Sequence, residues 1–240
     1  MKTSAPRPAA CNAAILMATL FTSVLASCAT SRQARNLDLD DPSMPRLLTK
    51  GMVLSRSDTD EEALYVYRNT IAPTVKYTKL LLDPVVISKQ GELNNTQLAN
   101  YQALADNAFQ LVRKELSQDF EVVTESSTGT LRIQIAILDA EASKPVRRLL
   151  ASAVPVGVGI SLVKYIATGK PSAVGQIAVE ILVTDALSGK ILGAAVDSRV
   201  GTQNLSDIVD PWATANEAIA IWATRLHKVL KSYRHETHQM

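Results

Sequence analysis

The 240-residue sequence has little of what covalent chemistry or metal binding requires. It contains two cysteines and three histidines, and aromatic residues make up only 5% of it. It has no G-x-S-x-G nucleophile elbow, and no phosphate loop precedes Gly189-Lys190. His227 falls on the polar side of the predicted last helix, and the H-x-x-H pair of His235 and His238 has no third ligand nearby in the sequence. We therefore expect no enzymatic activity, no metal site and no cofactor.

An excess of charge of either sign is also missing. Lys2 and Arg7 are the only charged side chains among the first 27 residues, and without them 23 basic residues face 23 acidic ones. A chain without a basic field has no electrostatic attraction for the phosphates of nucleic acid. We therefore expect no nucleic-acid partner.

The first 28 residues have the composition of a secretory signal peptide. Lys2 and Arg7 form a basic start, and the stretch from Ala13 to Leu25 is apolar and uncharged. This stretch is about half to two-thirds as long as a membrane-spanning helix needs to be. We expect residues 1–27 to be removed. Cys28 is then the single cysteine of the mature chain, so an internal disulfide cannot form.

The predicted cleavage site resembles the lipobox of bacterial lipoproteins. Leu25, Ala26, Ser27 and Cys28 match its pattern of a leucine, two small residues and an invariant cysteine. The resemblance implies a lipidated Cys28, and two or three fatty acyl chains such as palmitate make a stable membrane anchor. Ala29 stands where enterobacterial lipoproteins retained in the inner membrane have aspartate, so we expect the outer membrane, with the domain facing the periplasm. The alternative is an ordinary or uncleaved signal peptide with an incidental cysteine.

The rest of the chain predicts a short tether and one folded domain. Residues 28–50 are polar, include two prolines and show no periodicity, which is typical of a flexible linker. From residue 51 to residue 240 the sequence becomes periodic, and its length suits one domain with a sizeable core. We therefore divide the chain into a signal peptide, a lipidated tether and a single periplasmic domain.

Hydrophobic periodicity within residues 51–240 predicts both helices and strands. An apolar stripe from Leu98 to Leu116 predicts a helix, for which Asn94 and Gln97 form an approximate capping box, and a second helix is predicted after Asp210-Pro211. Strands are predicted at 64–67, 77–82, 120–124, 131–137, 176–184 and 191–200. This order indicates an α+β fold with one antiparallel or mixed sheet of about five strands and two helices packed on one face.

Residues 145–172 are unusually apolar for a connection between two strands. The candidate surface for a partner or ligand in this segment comprises Leu149, Leu150, Val154, Val156, Val158, Ile160 and Leu162. One interpretation is a helix or loop that packs back on the sheet. The other is a mobile apolar element that meets a partner, a lipid or the membrane surface.

Three stretches in a fixed order resemble a known family. The stretches are Tyr77 to Val85, the turn from Asp185 to Lys190, and Ala220 to Ala223. Together with the lipobox they resemble the Gram-negative lipoproteins grouped as domain of unknown function 3313, over roughly residues 50–233. The resemblance implies a lipoprotein of the cell envelope, and it implies no activity and no catalytic residues.

Three functions are compatible with these features. The first is a non-enzymatic envelope lipoprotein whose domain binds an envelope component, either protein or peptidoglycan. The second is a binder or carrier of a small apolar ligand or lipid, with residues 149–166 as a lid or wall. The third is a hydrolase, which requires two carboxylates to converge. The carboxylates considered for this role are Asp83, Asp139, Asp185 and Asp197.

Overall fold

The computed structural model of the protein describes residues 31–35, 37, 39, 47–48, 52–69, 75–88, 92–141, 175–201 and 210–235. The lipobox, with Cys28, and the apolar segment 145–172 both lie outside these described residues. The predictions made for them therefore stay predictions.

The described residues form nine strands and two helices. The strands are β1 Ser31–Gln33, β2 Ser55–Arg56, β3 Tyr65–Arg68, β4 Lys79–Leu82, β5 Val86–Ile87, β6 Glu121–Val122, β7 Thr130–Glu141, β8 Gln176–Asp185 and β9 Ile191–Gly201. The helices are α1 Asn95–Leu116 and α2 Ala213–His235. The predicted α+β class with a mixed sheet is confirmed. The predicted number of about five strands is wrong, because β1, β2 and β5 are only two or three residues long and leave no readable alternation.

All nine strands belong to one sheet. Its main path runs β2-β3-β9-β8-β7-β4-β6, with β1 beside β9 and β5 beside β7. The three long strands β7, β8 and β9 are antiparallel neighbours, whereas β4 and β5 run parallel to β7. The long hairpin of β8 and β9 therefore forms the centre of the sheet, and the short strands extend it on either side.

Local sequence sets where α1 begins. The Asn94 side chain accepts a hydrogen bond from the backbone N–H of Gln97 at 2.9 Å, and the Gln97 side chain accepts one from the backbone N–H of Asn94 at 3.0 Å. This reciprocal pair is the predicted capping box, and it satisfies two donors that the first turn leaves free. At the start of α2, Asp210 accepts a hydrogen bond from the backbone N–H of Trp212 at 2.8 Å, so the helix begins slightly later than predicted.

The main core combines both helices with one set of alternating strand residues. Ile133, Ile135 and Ile137 of β7 are each at most 4% exposed, and they share a core cluster with buried residues of both helices. Burying an isoleucine side chain contributes about 2–3 kcal/mol, so a few such positions account for much of the stability. The alternation along β7 and β8 thus gives the sheet one strongly apolar face.

On the opposite face of the sheet, four described leucines between β1 and β2 cover a small apolar cluster. Leu37, Leu39, Leu47 and Leu48 pack against a small buried cluster on this face. The cluster consists of Ala136, Leu138, Ala178 and Val196. Part of the segment predicted as a tether therefore contributes to the fold, since its leucines cover apolar surface that the strands expose on this side.

Candidate functional site

Strand β1, which begins three positions after Cys28, lies within a cluster of polar side chains. It pairs antiparallel with β9, with Ser31 opposite Gly201 and Gln33 opposite Arg199. Around this pairing lies a group of polar and charged side chains that we call the β1 cluster. The β1 cluster comprises Ser31, Gln33, Asp60, Asp197, Arg199, Trp222 and Arg225. It joins the start of the chain to β9, α2 and the loop between β2 and β3.

Asp197 is the central acceptor of the β1 cluster. It is 2% exposed, and one carboxylate oxygen accepts hydrogen bonds from Gln33 Nε2 at 2.9 Å and from the backbone N–H of Leu64 at 3.1 Å. The other oxygen accepts from Trp222 Nε1 at 2.6 Å. Burial raises the pKa of Asp197 above its ordinary value, and the hydrogen bond from Trp222 opposes this rise. A buried carboxylate with three donors is held in one position and has no open side for a substrate.

Arg199 holds β1 in place from the same strand. Its side chain is 2% exposed, with Nε donating to Ser31 Oγ at 3.1 Å and a terminal nitrogen donating to the Ser31 carbonyl at 3.0 Å. The remaining terminal nitrogen contacts the Asp60 carboxylate at 3.1 Å. The planar guanidinium suits such a set of fixed acceptors, because its donors form a rigid fork.

Arg225 closes the cluster from α2. It lies 3.8 Å from Asp197 and donates hydrogen bonds to the backbone carbonyls of Glu62 and Asp60. Burial lowers the pKa of Arg225, and the nearby charge of Arg199 acts in the same direction. The carboxylate of Asp60 contacts Arg199, and the carboxylate of Asp197 lies beside Arg225. The cluster is therefore an ionic network with two positive and two negative groups.

A second buried carboxylate holds Leu47 and Leu48 on the sheet face opposite the helices. Glu180, on β8, is 1% exposed and accepts hydrogen bonds from the backbone N–H groups of Leu47 at 2.6 Å and Leu48 at 3.3 Å. Its carboxylate thus fixes the segment that follows β1. The signal in the sequence that points to this contact is an acid placed between Val179 and Ile181 in an otherwise apolar strand.

The four carboxylates considered for hydrolysis have separate surroundings. Asp83 pairs with Arg132 at 2.8 Å on the surface. Asp139 accepts a hydrogen bond from Tyr101, and Asp185 accepts one from Tyr77. The register places Asp139 and Asp197 on strands to either side of β8, about 10 Å apart. Within the described residues the structure therefore does not bring these carboxylates together as an acid–base pair.

His227 links the two helices. Its ring lies 2.7 Å from Asp119 and 3.3 Å from Glu115, and Arg234 also contacts Asp119, at 2.8 Å. These contacts give His227 a structural role, because they join α2 to the end of α1. Among the described residues, no group of three histidine, cysteine, aspartate or glutamate side chains could hold a metal ion.

The Asp119 contacts predict an acid-dependent loss of stability. Hydrogen bonds from His227 and then Lys231 lower the pKa of Asp119. A carboxyl group with a lowered pKa in the folded state stabilises the fold above its unfolded pKa, and that contribution is lost as the pH falls through the folded value. We expect Asp119→Asn to reduce stability at neutral pH, and the difference from wild type to shrink between about pH 5 and about pH 2.

Urea unfolding at several pH values measures this difference. Asp106→Asn, on the exposed side of α1, is the matched control, and its pH profile is expected to run parallel to that of the wild type. A difference between Asp119→Asn and wild type that stays constant down to low pH would contradict the prediction.

A small cavity lies between the helices and the sheet within the described residues. Its volume is about 20 Å³, and its lining is apolar. The residues around it include Ala108, Ile137, Ile181 and Trp222. Pockets for small molecules are typically an order of magnitude larger, so this cavity is a packing defect of about the size of one water molecule. Neither of the two described helices is long and apolar enough to cross a membrane.

Several solved structures resemble this chain. PelC from Paraburkholderia phytofirmans, a dodecamer, is 13% identical, with 68% of this chain and 96% of that chain covered and a TM-score of 0.38. A DUF330 protein from Xanthomonas campestris is 10% identical, with coverages of 72% and 94% and a TM-score of 0.39. Lipoprotein GNA1162 from Neisseria meningitidis is 10% identical, with coverages of 65% and 99% and a TM-score of 0.30. All three TM-scores lie below 0.5, too low for a conclusion about function.

Sequence families give a clearer result. No curated protein matches the chain. The model of a family described as "Protein of unknown function (DUF3313)" matches residues 48–226, which is more than half of the chain. The match includes the three stretches on which the resemblance was based. The chain therefore belongs to the DUF3313 family.

Proposed function

We propose that the protein is a lipoprotein anchored through Cys28 to the periplasmic side of the outer membrane. In this proposal its domain is not an enzyme and binds another component of the envelope, either protein or peptidoglycan. The observation that carries the proposal is the lipobox of Leu25 to Cys28 at the end of an uncharged apolar stretch. Two or more fatty acyl chains on Cys28 anchor a protein stably, whereas one chain binds only marginally.

What supports a domain without catalysis is the structural role of its buried charged groups. Asp197, Arg199 and Glu180 are fully engaged in holding the N-terminal segment against the sheet. The hydrogen-bonding atoms of these side chains contact other parts of the domain. In a catalytic site, by contrast, such groups are accessible to the substrate. The candidate surface for the envelope partner is the apolar set from Leu149 to Leu162, which follows β7 in the chain.

The alternative function is binding of a small apolar ligand or lipid. Within the described residues the cavity of about 20 Å³ is far smaller than such a ligand. In this alternative the ligand site involves residues 149–166, which lie outside the described residues. Native mass spectrometry of the freshly purified protein tests this alternative, since a co-purified lipid supports it and an unliganded mass weighs against it.

Replacing Cys28 tests the anchor. We expect Cys28→Ser to move the protein from the membrane fraction to the soluble fraction and to block normal processing, because serine lacks the thiol that accepts the lipid. Cell fractionation with mass analysis of the mature N-terminus measures both effects. Cys11→Ser is the matched control, because this cysteine lies in the segment expected to be removed, and it should leave both properties unchanged. Membrane retention and normal processing of Cys28→Ser would overturn the proposal.

A further inference from the structure

The histidine between the two helices has a carboxylate at each of its ring nitrogens. His227 Nε2 lies 2.7 Å from Asp119 Oδ2, and His227 Nδ1 lies 3.3 Å from Glu115 Oε1. The His227 side chain is only 13% exposed, so most of the ring is shielded from water. We call His227, Glu115 and Asp119 the histidine clasp. The clasp joins α2 to the last turn of α1 and to the turn that follows it.

An uncharged histidine fits only one of these two contacts. A neutral imidazole has one N–H donor, and its other ring nitrogen carries a lone pair that can only accept. An ionised carboxylate also only accepts, so a neutral ring would face one of the two carboxylates without a proton between them. A protonated imidazole has an N–H on both nitrogens and donates to both carboxylates. The geometry of the clasp is therefore complementary to the charged ring.

Charged groups of α2 also act on the clasp. Lys231 Nζ contacts Asp119 Oδ2 at 3.1 Å, and a terminal nitrogen of Arg234 contacts Asp119 Oδ1 at 2.8 Å. Exposed Lys114 and Lys228 lie next to clasp residues in the chain. These cations disfavour a positive ring, whereas the two carboxylates in direct contact with the ring favour it. Asp119 keeps two cationic partners when the ring is neutral, so the contact that depends on the proton is the one between the ring and α1.

We infer that the histidine clasp is a proton-dependent contact between the helices, which is complete when the His227 ring is protonated and loses Glu115 when the proton leaves. A contact that requires the proton stabilises the fold at acidic pH and is lost as the pH rises. This direction is opposite to that of Asp119, whose contribution is lost as the pH falls. The inference does not depend on the proposed lipid anchor, because all the groups that carry it lie on α1, α2 and the turn after α1.

Nuclear magnetic resonance of the full chain in detergent reports the proton directly. Replacing His235 and His238 by glutamine leaves His227 as the single histidine, so that its ring signals need no further assignment. Long-range spectra that correlate the ring protons with ¹⁵N distinguish a ring with two N–H groups from either neutral tautomer. We expect the doubly protonated ring at about pH 7, where a histidine in water is mostly uncharged.

Glu115→Gln separates a proton-dependent contact from ordinary helix packing. Glutamine keeps the size of the side chain and adds an amide N–H that can donate to a ring nitrogen with a lone pair. In this variant a neutral ring can keep both contacts, because it donates to Asp119 and accepts from the new amide. We therefore expect the pH dependence of the contact to disappear.

Urea unfolding of the full chain, followed by circular dichroism, measures this dependence. We expect His227→Gln to lower the urea midpoint about twice as much at about pH 5.5 as at about pH 8.5, since charge-assisted hydrogen bonds are about twice as strong as neutral ones. In a chain that already carries Glu115→Gln, the same substitution should lower the midpoint equally at both pH values. Comparing the two backgrounds isolates the pair from every other group that titrates in this range.

Three outcomes overturn the inference. The first is a neutral ring of His227 at about pH 7 in the wild-type clasp, which the resonance measurement detects even if His227→Gln does not fold. The second is an equal loss of midpoint at both pH values in the wild-type background. The third is a pH dependence that stays the same after Glu115→Gln. In each of these cases His227 contributes to helix packing only.

Discussion

Asp197→Ala is expected to lower the free energy of unfolding by about 4 kcal/mol, the usual cost of removing one partner from a buried ionic network. The substitution leaves Trp222 Nε1, Gln33 Nε2 and the backbone N–H of Leu64 without their acceptor. It also leaves Arg225 beside Arg199 with less compensating charge. Urea unfolding followed by circular dichroism measures the loss.

Two further variants define the expected scale. Asp197→Asn keeps the volume and one acceptor oxygen but points an amide donor at another donor, so we expect a smaller loss of about 2 kcal/mol. Asp83→Ala removes a surface ion pair with Arg132 and should lower stability by less than about 1 kcal/mol. If Asp197→Ala costs no more than Asp83→Ala, the β1 cluster does not hold the fold together.

A chain that begins at Gly51 is expected to be largely unfolded or aggregated, whereas a chain that begins at Ala29 folds normally. The shorter chain lacks β1. It also lacks the four leucines that cover the sheet face opposite the helices, Leu37, Leu39, Leu47 and Leu48. Its buried Arg199 loses Ser31, and its buried Glu180 loses the N–H groups of Leu47 and Leu48. Each such loss costs about 1–3 kcal/mol, and together they approach the whole stability of a typical domain.

Both truncated chains lack the lipid, so the comparison isolates the role of residues 29–50 in the fold. Urea midpoints and size-exclusion profiles of the two chains measure the difference. Equal midpoints and equal profiles would mean that this segment adds nothing to the domain and that the prediction of a flexible tether describes it fully.

The elements with strong local patterns could be predicted from the sequence. The alternation from Leu131 to Ile137 located β7, and Asn94 with Gln97 located the start of α1. In these elements the determining contacts lie within a few residues, so periodicity and capping chemistry are visible in a single stretch of sequence. The match to the DUF3313 family also followed from short local stretches.

The candidate site depended on contacts that no local pattern records. Ser31, Arg32 and Gln33 are polar, and two of them are buried only because Arg199 and Asp197 reach them from strand β9. Glu180 is satisfied by backbone N–H groups, which every residue possesses. The polar tripeptide was therefore predicted as part of a tether, and the role of Glu180 was not predicted, although both make buried contacts that hold the N-terminal segment on the sheet.

The pairing of the first strand with the last one has a kinetic consequence. Ser31 and Arg199 are 168 residues apart in the chain. The contacts between β1 and β9 therefore join residues that are very distant in the sequence. Long-range strand pairs form slowly, because the loop must close before any of their contacts contribute. Strand β1 therefore stays without its neighbour until β9 is available, which means that β1 is among the last strands of the described sheet to become ordered.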